Sequence, residues 1–263
     1  MKIVFIGSGN VATHLSLALK SAGNDILQIY SRNFNNAQAL AEIVNAQPID
    51  NLNNIISDAD LYIFSIKDDA LSEIIELMPA TFGIWVHTSG SVPIDLFEKR
   101  DPKAGYGVIY PLQTFSKARK VDFSKISIFI EASSKEIEEI LISLSRTISD
   151  NVKLLDSESR KFLHLSAVFA NNFSNHMLTL SYEILKSKKI PFDVLRPLIS
   201  ETAAKVMEME PAEAQTGPAI RLDENILNKH LNLIEDIQLK EIYSILSKSI
   251  NNYSVKNRKE ERD

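Results

Sequence analysis

The sequence predicts an α/β protein: an open, doubly wound sheet over residues 1–152, followed by an all-α part over 153–263. Three observations predict it. Short runs rich in β-branched residues alternate with helix-length segments in the first part. The strand signal stops after a helical stretch at 134–149, and nearly everything from Ser157 onward is helical in period or turn-like. A glycine turn joins the first strand to the first helix.

Lys2 to Ile6 (Lys-Ile-Val-Phe-Ile) lacks polar alternation, as a strand covered on both faces of a parallel sheet must. Val11, Leu15, Ala18 and Leu19 recur at helical spacing over 10–21, and Ala22-Gly23 stop that helix. A strand at 25–30 and a helix at 35–45 repeat the unit. Strands at 61–66, 84–87, 105–109 and 126–130, with a helix at 69–78, continue the rhythm. The domain boundary falls within 151–156. Beyond it, one long helix over 157–186 carries apolar residues on more than one stripe, which predicts burial on most sides. Pro191 and Asp193 start a helix toward Met207, with Pro197 as an early break or kink. Thr216-Gly217-Pro218 is a turn, helices follow at 223–233 and 236–253, and the polar residues 254–263 read as a frayed tail.

Composition narrows the function. With 29 Lys and Arg against 34 Asp and Glu, the net charge is −5. The surface therefore lacks the basic excess that a phosphate backbone requires, and nucleic acid is not an expected partner. There is no cysteine, hence no disulfide, thiolate metal site or thiol nucleophile. The apolar runs are strand-sized and the first residues enter a strand directly, which predicts a cytoplasmic protein away from membranes.

The chemistry concentrates where strands end. Gly7-Ser8-Gly9-Asn10-Val11-Ala12 is a G-x-G-x-x-A sequence at a strand-to-helix turn. Gly7 permits the tight turn, Gly9 lets the backbone approach a pyrophosphate, and Ala12 lets the helix pack closely. Amide groups at the start of the helix, Ser8 through Val11, then face the anion. After the second strand stands Ser31-Arg32 where an acidic residue would bind a ribose hydroxyl. A guanidinium and a hydroxyl suit a 2′-phosphate, so the expected cofactor is NADP. Ser65 and Lys67 lie at the carboxyl end of the next strand, on the same crevice.

His87-Thr88-Ser89-Gly90-Ser91 adds an imidazole, three hydroxyls and a glycine at that edge, able to hold a carboxylate or carbonyl oxygen of a small substrate. Tyr110-Pro111-Leu112-Gln113-Thr114-Phe115 is polar and aromatic in the same zone. On the long helix, His164, Asn171 and Asn175 fall within about 20° of one line at ~100° per residue, a polar stripe that needs partners. His14 and His176 read as satisfied helix residues. No histidine pair has metal-ligand spacing, so no metal is expected.

These pieces, with Ala167-Val168-Phe169-Ala170-Asn171-Asn172-Phe173 and Thr216-Gly217-Pro218-Ala219, resemble a small family of two-domain, Rossmann-like proteins with a DUF2520 domain, over nearly the whole chain. That family is similar to NADP-dependent reductases with a helical second domain of the 6-phosphogluconate dehydrogenase C-terminal type. Among these are pyrroline-5-carboxylate reductase, ketopantoate reductase, the 3-hydroxyacid dehydrogenases and the F420-dependent NADP reductases. The resemblance implies a Rossmann domain, NADP and an oxidoreductase that moves a hydride to or from a small C=N or C=O substrate held between the domains. The 3-hydroxyacid dehydrogenases carry K-x-x-x-N on the long helix, whereas here Ala167 stands four residues before Asn171. Without that lysine, the acid falls to His164 or His87 beside Asn171, and the weight moves toward C=N chemistry. A non-catalytic dinucleotide-binding regulator or sensor is the alternative. The apolar first helix of the second part predicts a homodimer.

Overall fold

The structure, a computed structural model, describes residues 1–100 and 102–260, the last four of these by backbone alone. Strands β1 (Lys2–Ile6), β2 (Asp25–Tyr30), β3 (Gln47–Ile49), β4 (Leu61–Phe64), β5 (Ile84–His87), β6 (Tyr106–Pro111), β7 (Ser127–Ala132) and β8 (Asn151–Leu154) form one sheet. Its order is β3-β2-β1-β4-β5-β6-β7-β8. All neighbours are parallel except β6 and β7. The order reverses between β1 and β4, and in an open α/β sheet the crevice forms at the carboxyl ends beside such a reversal.

Helices α1 (Asn10–Ser21), α2 (Phe34–Val44), α3 (Asp68–Leu77) and α4 (Lys135–Arg146) accompany the strands. Side chains alternate along a strand, so β1 feeds two cores. Ile3 and Phe5 pack with Leu15, Leu19, Leu40 and Leu141 on one face, and Val4 and Ile6 with Leu71, Ile74, Trp85 and Phe97 on the other. All four apolar residues of β1 are fully buried, each worth roughly 1.5–3 kcal/mol of transfer free energy.

Two strands escape the sequence pattern. β3 is three residues long with Pro48 at its centre, tolerated because β3 is the sheet edge. β8 occupies the segment that the periodicity assigns to a domain boundary; it is the opposite edge, polar and half exposed, and carries no apolar run.

By its internal contacts the chain forms two compact units, Met1–Phe173 and Ser174 onward. The long helix is observed as α5 (Ser157–Ala167), a wide π turn (Val168–Phe173) and α6 (Ser174–Ser187). Asp156 caps α5 by accepting from the Ser159 amide at 2.7 Å. The expected burial of this helix is not found: Phe162, Leu165, Phe169 and Phe173 are each about half exposed or more. Downstream come α7 (Arg196–Glu208), α8 (Pro211–Ala214), α9 (Glu224–Leu233) and α10 (Ile237–Glu260). Pro197 lies in the first turn of α7, where no amide donor is needed, so it starts the helix and does not kink it. Residues 254–260 continue α10 where a frayed tail was expected, and 261–263 lie outside the described residues.

Candidate active site at the carboxyl edge of the sheet

Gly7 adopts φ +124°, and a Cβ there would stand 2.1 Å from the Ser65 carbonyl oxygen. The turn is therefore pressed against the end of β4, and only glycine fits. A Cβ on Gly9, in contrast, would meet nothing within 4 Å, leaving backbone open to a ligand. Gly9 caps α1 without a side-chain hydrogen bond, and the first turn holds no acidic residue. The α1 amides and dipole thus face an uncompensated, open space, the environment that an anion requires. These residues fit a dinucleotide pyrophosphate.

A cleft of about 710 Å³ runs from this turn along the strand ends. Gly7, Ser8, Gly9, Asn10 and Val11 line it from β1, and Ser31 and Arg32 from the end of β2. Ser65 and Lys67 line it from β4, and Thr88, Ser89 and Gly90 from β5. Arg32 and Lys67 are exposed at the rim, which leaves their charges available to a ligand. The Thr88 hydroxyl donates to Ser65 Oγ at 3.2 Å, joining two strand ends.

The far end of the cleft holds a pair of side chains from β6 and α5. The Tyr110 hydroxyl and His164 Nδ1 are 2.9 Å apart, with the rings edge-on. Gly90 makes this possible, since a Cβ there would lie 2.6 Å from His164 Nδ1. Burial pushes the Tyr110 phenol up to about 12, against a smaller opposing effect of the Arg160 charge. The phenol therefore stays protonated at neutral pH. It can donate to Nδ1 and so place the proton of a neutral His164 ring on Nε2.

Four expected site residues stand elsewhere. His87 is fully buried in β5 and tilted against Phe97, and it does not line the cleft. Burial first, then the Arg160 charge, drives its imidazole down to about 3, so it is neutral and accepts the Ser89 amide at Nδ1 (3.2 Å). Through that hydrogen bond it shapes the loop after β5. Ser91 points its amide at Ser89 Oγ (3.1 Å) and is absent from the lining; Ser89 Oγ also accepts from Val92. Asn171 is exposed in the π turn, and Asn175 is exposed on α6 in the second unit. The straight line drawn through His164, Asn171 and Asn175 fails because the π turn changes the angular step.

Two groups escaped the sequence reading. Tyr110 was legible only as one residue of a polar and aromatic stretch, although it stands one residue from the end of its strand. Arg160, buried, and Glu131, partly buried, form an ion pair, and charged residues beside a helix start give no local sign of it.

Residues 2–83 match the family described as NADP oxidoreductase, coenzyme F420-dependent, and residues 126–250 match the domain of unknown function DUF2520. A crystal structure from Bacteroides fragilis, assigned as an NADP oxidoreductase, is 48% identical over 95% of this chain and 98% of its own, with a TM-score of 0.89. The chain belongs to this family of NADP oxidoreductases. Two more distant structures share the family's fold. Protein TM1727 of Thermotoga maritima is 21% identical over 97% of this chain and 99% of its own, TM-score 0.71. A reductive aminase of Aspergillus terreus, solved with NADPH and ethyl-5-oxohexanoate, is 13% identical over 98% and 94%, TM-score 0.71. No curated protein matches the chain.

Proposed function

We propose that the protein is an NADP-dependent oxidoreductase acting on a small C=N or C=O substrate, with Tyr110 and His164 handling the proton. One observation carries the reading: the dinucleotide turn and a hydrogen-bonded Tyr–His pair line the same cleft. A nucleotide sensor would need no such pair. Gly7 to Val11 hold the pyrophosphate, Ser31 and Arg32 the 2′-phosphate, and Ser65 and Lys67 border the nucleotide. NADPH, when bound, supplies the hydride. Thr88, Ser89 and Gly90 orient the substrate, and His164, in its imidazolium form and fixed by Tyr110, gives its Nε2 proton to the heteroatom and is left neutral. An imine nitrogen is more basic than a carbonyl oxygen, so it takes that proton readily and then carries the electrophilic charge, and a site without the dehydrogenase lysine suits C=N reduction best. The reductive aminase fold is consistent with that choice.

Titration with NADPH and NADH, by fluorescence or calorimetry, tests the cofactor. Arg32→Ala is expected to weaken NADPH about ten- to a hundredfold, the worth of a charge-assisted contact, and to leave NADH unchanged. Failure of the wild-type protein to bind either nucleotide overturns the proposal.

The proposed enzyme is a homodimer. Among the described residues beyond Phe173, Ala219 is the only buried apolar one, whereas Leu198, Met207, Leu233 and Ile245 are each more than 60% exposed. A helical unit that buries almost nothing of its own needs a second copy to cover it. Light scattering is expected to give twice the chain mass, and a monomer at micromolar concentration would refute the dimer.

A further inference from the structure

We infer that Arg160 and Glu131 are positioning residues: the ion pair between buried Arg160 and partly buried Glu131 docks α5 on the sheet so that His164, one helical turn later, meets Tyr110. Arg160 is 1% exposed and is the one buried residue of α5, so among the described residues no fully buried apolar side chain anchors the helix. Polar contacts do. Arg160 pairs through Nη1 with Glu131 of β7, and through Nη2 it donates to the Val92 carbonyl (2.6 Å) and Ser157 Oγ (3.2 Å). Glu131 also accepts from the Ser157 amide (2.9 Å) and hydroxyl (2.7 Å). Ser157 Oγ in turn accepts from the Ile94 amide (2.9 Å). One network thus binds β7, the segment after β5 and the first turn of α5. That same segment after β5 carries Gly90, on which His164 rests. Positions four apart share a helix face, so fixing Arg160 fixes His164.

A buried ion pair seldom stabilises more than an apolar pair of equal volume, so its use here points to placement. The guanidinium charge also opposes protonation of His87 and favours ionisation of Tyr110. The catalytic consequence rests on the proposed oxidoreductase reading; the docking itself does not.

The test is the double variant Arg160→Met/Glu131→Leu, which removes the pair without leaving a lone buried charge. The readout is the ¹⁵N resonance of His164, identified by its loss in His164→Gln and by its shift in Tyr110→Phe. The double variant is expected to melt near the wild-type temperature and bind NADPH within about twofold. Its His164 resonance should move to the Tyr110→Phe position, and turnover of an imine that the wild type reduces should fall about a hundredfold, as for misplaced reacting groups. A wild-type His164 resonance in the double variant overturns the inference. Arg160→Lys, which keeps the charge and loses the fork, reads the same resonance if the double variant does not fold. If wild type binds no NADPH, the cofactor reading fails while the resonance still decides the docking.

Discussion

Gly7→Ala is expected to abolish NADPH binding and to lower the melting temperature by several degrees. Two costs combine. At φ +124° an L-residue loses about 1–3 kcal/mol to its backbone conformation alone. The added methyl would also stand 2.1 Å from the Ser65 carbonyl oxygen. That carbonyl cannot withdraw cheaply, because the Ser65 amide is bonded to Ile6 at 2.8 Å within the sheet. The turn must shift, and the α1 amides shift with it. Gly9→Ala separates the two costs: φ is −75° and the new Cβ meets no protein atom, so the fold should melt as wild type. If the space above Gly9 belongs to a pyrophosphate, that methyl still weakens NADPH at least about tenfold by blocking backbone approach. Calorimetry and thermal unfolding of both variants check this, and wild-type NADPH affinity in Gly9→Ala would move the pyrophosphate away from the turn.

His164→Gln is expected to lower turnover of an imine that the wild type reduces about 10²- to 10⁴-fold, the usual range for loss of a positioned general acid. NADPH affinity should be unchanged, since the nucleotide residues lie at the other end of the cleft. Tyr110→Phe should lower turnover by a smaller factor, because the ring loses its hydrogen bond but keeps its proton. The two substitutions together should cost no more than His164→Gln alone, as expected for groups acting as one unit. Single-turnover rates with NADPH prebound would measure this. Equal rates in wild type and His164→Gln would remove the proton-donor role.

Much of the fold is legible in local pattern. β1, β2 and β5 and the helices α1 to α4 follow from apolar runs and helical periods, which neighbouring residues express among themselves. Gly7-Ser8-Gly9 at the end of β1 could be assigned to phosphate binding for the same reason, since turn geometry and helix-start amides belong to a few consecutive residues. β3 and β8 were invisible because edge strands need no continuous apolar run. The long helix looked buried because an apolar surface in a sequence says only that something covers it, not whether the same chain does.

The site divides in the same way. His87 and His164 are equivalent as residue types, and nothing in the local sequence tells a buried structural imidazole from one facing the cleft. The sheet decides: His87 lies inside β5 against Phe97, while α5 brings His164 to Tyr110, 54 residues away in sequence. Arg160 and Glu131 are separated by 29 residues and meet only because α5 docks on β7. The nucleotide turn, the strand order of local βα units and the family to which the chain belongs were open to sequence reasoning. The Tyr110–His164 contact and the Arg160–Glu131 ion pair were decided by tertiary structure, since long-range contacts depend on how elements pack and leave no periodic trace.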